Sequence, residues 1–63
     1  MNFEVQFHDL MNLERKILTV YKEIIKCQTK EDINKMCFTL ATYLDEEKRM
    51  IGRLKTLVIF YFI

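Results

Sequence analysis

Few side chains in this chain could do acid–base, nucleophilic or metal chemistry, and their spacing keeps them apart. The only histidine is His8, with Glu4 one helical turn before it and Asn12 one turn after. That set offers one imidazole and two oxygen donors, where a structural zinc site takes four ligands. Cys27 and Cys37 lie ten residues apart, and on a helix His8 would sit about 28 Å from Cys27 at 1.5 Å per residue. A Cys–His dyad needs its members within hydrogen-bond reach, so the spacing argues against one. No serine is present to serve as a nucleophile. Asp45, Glu46 and Glu47 cluster carboxylates, but adjacent residues on a helix do not face one another and cannot act as a pair. With Gly52 as the single glycine, no glycine-rich loop can cradle a phosphate. The sequence therefore predicts a protein that is not an enzyme and holds no metal or cofactor.

The composition points to association instead. A chain of 63 residues has room for one domain, and domains this small rarely stabilise themselves with one core alone. Yet 51% of the residues are apolar, more than so small a volume can hide. Ten basic residues against nine acidic ones leave a net charge of +1, too balanced for a dedicated nucleic-acid domain. Two cysteines among apolar neighbours predict buried free thiols in a reducing compartment, not a secreted disulfide framework. Met1 to Leu10 lacks the basic start and apolar run of a secretory signal, and no stretch reaches the ~20 apolar residues of a membrane span. The expected location is the cytoplasm.

The elements that must position these side chains follow from periodicity. Proline is absent, so long regular elements are expected. Setting heptad a positions at Phe3, Leu10, Ile17 and Ile24 places Gln6, Leu13, Val20 and Cys27 at d, with Phe7 and Tyr21 on the e side. This is an amphipathic helix over about 3–28. A break follows at 28–30, where Thr29 can cap a new helix by accepting from the Asp32 N–H, with Asp32 in the place a capping box usually gives to Glu. The second helix, over about 30–60, carries Ile33, Leu40, Glu47, Leu54 and Tyr61 at a and Met36, Tyr43, Met50 and Leu57 at d. Cys37, Leu44, Ile51 and Val58 lie alongside at e. Glu31–Lys35 and Asp45–Arg49 are i,i+4 pairs in the favourable order. Two helices joined by a short turn pack antiparallel, so the fold class is all-α, a two-helix hairpin in one domain over 1–63. A competing reading pairs the alternating Phe3–Phe7 with the β-formers of Leu57–Ile63 as a small ribbon.

A hairpin needs one seam per helix, and this chain has more. Met11, Leu18 and Ile25 form a second row seven residues apart, and Phe38 and Ile59 sit on the outer face of the second helix. Either one wide stripe covers everything, or a second contact surface exists, most simply in a two-fold dimer forming a four-helix bundle. A tetramer is the alternative homo-oligomer. Glu47 interrupts the seam at a; it either turns to the solvent edge or fixes the register of pairing.

The expected function is that of a small interaction protein, a self-associating hairpin that regulates or inhibits a larger protein partner. Its expected contact residues are Phe38, Tyr43, Met50, Ile51, Leu57, Phe60 and Tyr61, because aromatic and methionine side chains supply much of the energy of such interfaces. Leu57 to Ile63 is an uncharged run preceded by Arg49, Arg53 and Lys55. It reads as a helix end buried in an oligomer, as a peripheral membrane contact with basic residues at the headgroups, or as an edge strand or docking peptide. Lys35, Lys48, Arg49, Arg53 and Lys55 are candidate contacts to phosphates or an acidic surface. In length and in its central turn the chain is similar to the Rop-type bundles of two hairpins, a resemblance that implies RNA binding. No residues match at the positions that would hold RNA, so the likeness is architectural.

Overall fold

The computed structural model describes the backbone of residues 3–62 and the side chains of residues 3–60. Two helices, α1 (Phe3–Lys26) and α2 (Lys30–Phe62), account for all of it except the three residues that join them. The helices pack against each other as one rod with principal extents of 49 × 15 × 13 Å. The Phe3–Phe7 segment and the described part of Leu57–Ile63 are helical, so the ribbon alternative is corrected.

The turn is built by local hydrogen bonds. Lys30 begins α2, and the Asp32 N–H donates to Thr29 Oγ1 at 3.1 Å while the Ile33 N–H donates to the Thr29 carbonyl at 3.1 Å. Thr29 is thus the N-cap, a position that needs non-helical backbone angles, and α1 must stop before it. It ends at Lys26, two residues short of the boundary near 28 expected from periodicity. There the Cys27 N–H turns to the Ile24 carbonyl at 3.1 Å, and the Cys27 thiol donates to the Glu23 carbonyl at 3.3 Å. The tightened last turn therefore leaves fewer of the orphan carbonyls that every helix end presents. Glu31 and Asp32 place negative charge at the positive end of α2.

The seam follows the heptads. Every α1 side chain that is buried or half-buried is an a or d residue: Phe3, Gln6, Leu10, Leu13, Ile17, Val20 and Ile24, with Cys27 just beyond. In α2 the same holds for Met36, Leu40, Tyr43, Glu47, Met50, Leu54 and Leu57. Only Leu13, Ile17, Val20 and Leu54 are fully buried among the described residues, because a seam one layer thick leaves most side chains an open edge. Ile33, in the first turn of α2, is the one described a residue left exposed. Cys37 is also exposed, not buried as its apolar neighbours suggested. It occupies an e position, and those neighbours share its outward arc instead of covering it. Cys27 is half-buried, and both thiols are free.

Gly52 does not interrupt α2. A Cβ built there meets nothing within 4 Å, and no glycine has positive φ among the described residues. Its cost is therefore the entropic one of glycine in a helix, about 1 kcal/mol relative to alanine.

Candidate interaction surface

The geometry of an antiparallel pair decides which outer rows share a face. Around a helix the heptad positions run d, a, e, b on one side and d, g, c on the other. When two such helices run antiparallel with a and d in the seam, their g rows fall on one flank and their e rows on the opposite one. The g flank is visible as a groove of about 570 Å³ lined by Asp9 and Lys16 of α1 and by Glu46 and Arg53 of α2, with Arg49 at its rim. Charges of both signs alternate along it. It is a solvated flank.

The e flank is its opposite in character. From α1 it takes Phe7 and Tyr21 at e and Met11, Leu18 and Ile25 at b, all exposed. From α2 it takes Cys37, Leu44, Ile51 and Val58 at e and Asn34, Ala41, Lys48 and Lys55 at b, all exposed as well, so the apolar row of α2 is its e row. Leu18, at the middle of α1, is 53% exposed while the adjacent seam residue Ile17 is 6% exposed. The seam is thus drawn correctly, and the second row lies outside it. Hollows mark this face on both helices. One of about 310 Å³ is lined by Glu14, Arg15, Ile17, Leu18 and Tyr21, the other, of about 240 Å³, by Asn34, Cys37, Phe38 and Ala41.

Two carboxyl groups lie beside the apolar rows. Glu47, half-buried at a, has its carboxyl pKa raised above the ordinary value of 4.5, first by a side-chain hydrogen bond with Glu14, then by burial, then by repulsion from the Glu14 charge. Glu14 occupies the e row of α1, so the pair lies where the seam opens onto the apolar face. Sequence reasoning noted Glu47 and missed Glu14. The available signal was that Leu10, Met11, Ile17 and Leu18, the residues three and four away from Glu14, are all apolar, which leaves its carboxylate no partner on its own helix.

The expected contact residues divide between surfaces. Tyr43, Met50 and Leu57 lie half-buried in the seam between α1 and α2. Ile51 is on the e flank, and Phe38 and Phe60 are exposed on the f and g rows at 78% and 79%. The Tyr61 side chain is outside the described residues. Among the expected phosphate contacts, Lys35 and Arg49 are engaged with Glu31 at 3.8 Å and Asp45 at 3.2 Å. Lys48, Arg53 and Lys55 are exposed and occupy b, g and b positions, so the five cations do not form one row. His8 faces Glu4 at 3.9 Å. No group of three or more His, Cys, Asp or Glu residues that could hold a metal occurs among the described residues. Nor is any helix among them long and apolar enough to cross a membrane.

No family model, curated protein or solved structure matches the chain.

Proposed function

We propose that this chain is a small non-enzymatic interaction protein, a helical hairpin that self-associates and regulates or inhibits a larger protein partner. One observation carries the reading: a folded rod that leaves two apolar rows, one from each helix, uncovered on the same face. A single exposed leucine needs no explanation, but contiguous rows repeating every seven residues mark a contact surface. Sedimentation equilibrium in detergent-free buffer with reductant tests self-association. The expected result is a discrete dimer or tetramer; a monomer at every concentration overturns that part of the reading. Phe38, on the f row at the margin of that face, tests whether the two roles separate. Phe38→Glu is expected to leave the oligomer intact and to abolish binding to a partner.

A second reading is favoured by the open end of the hairpin. Val58, Ile59 and Phe60 are exposed on three successive rows, so the last described turn is apolar around most of its circumference, with Arg53 and Lys55 just behind it. Apolar tips with a basic collar suit the surface of an anionic bilayer. Co-sedimentation with anionic liposomes that disappears on deletion of residues 57–63 would support this reading; no co-sedimentation at low salt would dismiss it.

A further inference from the structure

The charges that border the e flank bear on what it meets. Successive helix residues turn by about 100°, so the f row of α1 lies about 40° beyond its b row. The b row holds the apolar Met11, Leu18 and Ile25, and the f row beside it holds Arg15 and Lys22. Arg15 lines the same hollow as Leu18 and Tyr21. On α2 the apolar row is e, with Leu44, Ile51 and Val58, and the b row beside it holds Lys48 and Lys55. All four cations are exposed, and they border both long edges of the apolar face. Among the described residues none of the four is in an ion pair, whereas Lys35 and Arg49, on the c row of α2, are held by Glu31 and Asp45. The acidic groups on this side are Glu4, which faces His8 at 3.9 Å, Glu14 on the e row of α1 and the half-buried Glu47. Asp9, Glu23, Asp32 and Glu46 occupy the g rows of the opposite flank.

Apolar rows between two cationic edges are the pattern of a helix lying in the interface of an anionic bilayer. There the apolar side chains enter the boundary between headgroups and acyl chains. Lysine and arginine lay their methylene stems along that boundary and reach the phosphates with their charged heads. Charge also separates this occupant from a second copy. Whichever two-fold axis sets two hairpins face to face, the α1 edge meets the α1 or the α2 edge of the other copy. Both edges are cationic, so like charges oppose. An anionic surface meets both with the opposite sign. The face also continues into the apolar open end, where the e residues Phe7 and Val58 are exposed.

We propose that the hairpin docks flat on an anionic bilayer, with its e flank against the lipid and Arg15, Lys22, Lys48 and Lys55 at the headgroup phosphates. The inference rests on the bilayer reading above and adds the face, the orientation and the cations that set it. A second copy covering these rows in water must leave before the bilayer takes its place. Tip contact and flat contact differ in which charges reach the surface. With the hairpin upright, Lys22 stands about 28 Å from the open end counted from Phe3, and Lys48 about 18 Å counted from Phe60. Both distances exceed the Debye length of ~10 Å at 0.1 M salt. With the hairpin flat, both lysines lie at the headgroups.

The test is co-sedimentation of the full chain with sucrose-loaded vesicles in about 0.1 M salt. The vesicles are phosphatidylcholine alone, or the same lipid with about one-third phosphatidylglycerol. Polarised infrared spectroscopy on supported bilayers of these lipids reads the helix orientation, and circular dichroism confirms that each variant is folded. Wild type should bind the anionic vesicles and not the neutral ones, with both helices parallel to the membrane plane. Each Lys or Arg near such a surface strengthens binding about fivefold, so Lys22→Gln combined with Lys48→Gln should weaken it about 25-fold. Leu18→Glu, about 22 Å from the open end, should abolish binding. Upright helices, with both variants binding as wild type does, overturn the flat docking and leave the tip contact standing. Equal binding of wild type to neutral vesicles overturns the role of the cations and with it the proposal. No binding of wild type to the anionic vesicles overturns both bilayer readings, and an oligomer that persists beside them then assigns the face to a second copy.

Discussion

Ile17 and Leu18 are neighbours in the chain that face opposite fates, and truncating each to alanine separates the two surfaces of the hairpin. Ile17 is 6% exposed in the seam and Leu18 is 53% exposed on the e flank. Ile17→Ala removes three buried carbons, about 2.4 kcal/mol at ~0.8 kcal/mol per group, with a further cavity contribution kept small because a one-layer seam can collapse. Total stability for a chain of this size is on the order of 3–9 kcal/mol, so the loss is a large fraction of it. At about 4–8 °C per kcal/mol for a domain of 60–100 residues, Tm should fall by roughly 10–20 °C. Leu18→Ala should behave differently. Alanine is the better helix former, so in dilute solution, where the proposed assembly would dissociate, Tm should change little. At high concentration, where the proposed assembly would stabilise the fold by mass action, Leu18→Ala should lose most of the rise in Tm expected of wild type. The assay is thermal unfolding by circular dichroism at two concentrations a hundredfold apart. Equal, small effects of both substitutions at low concentration would refute the seam. A Leu18→Ala protein whose Tm rises with concentration as wild type does would refute the outward role of the b row.

Four further outcomes follow from the local structure. Thr29→Ala should cost about 1 kcal/mol by removing the hydroxyl that caps α2, while Thr29→Ser should be nearly neutral; urea unfolding midpoints distinguish them. Gly52→Ala should raise stability by up to about 1 kcal/mol, since the added methyl meets nothing; a lower Tm would show that α2 needs glycine there. Asp45→Asn should cost no more than about 0.5 kcal/mol, and the difference should vanish in 1 M salt, because its ion pair with Arg49 is exposed. The raised pKa of Glu47 means that the folded hairpin binds the proton more tightly than the unfolded chain does. This group's contribution to stability is therefore fully present below pH 4.5 and lost as pH rises through the raised value. Glu47→Gln should gain on wild type in stability between pH 4.5 and pH 7, measured by urea unfolding in dilute solution.

The heptad assignment was legible because one row of each helix, a in α1 and d in α2, keeps an unbroken apolar period of seven. Leu10, Ile17 and Ile24 on α1 and Met36, Tyr43, Met50 and Leu57 on α2 each recur at that period on the packed side, and Thr29 with Asp32 announced where the second helix starts. What was less legible depends on how the two helices face one another. Tyr43, Met50 and Leu57 have the chemistry of interface residues, yet they fall in the hairpin's own seam, which composition cannot separate from an outer surface. Cys37 sits among apolar residues in sequence and is exposed because they lie on the same outward arc. The Glu14–Glu47 pair joins residues 33 apart in the chain, and only the handed, antiparallel register puts the e row of α1 beside the a row of α2. The same register gathers two apolar e rows onto one flank, a fact that neither helix reveals alone.

The most direct test of the account compares wild type and Leu18→Glu by sedimentation equilibrium at pH 5.5, up to a few hundred micromolar. The account predicts a discrete dimer for wild type and a monomer of unchanged helicity for Leu18→Glu. A wild-type monomer throughout, or a Leu18→Glu protein that dimerises as wild type does, would contradict it.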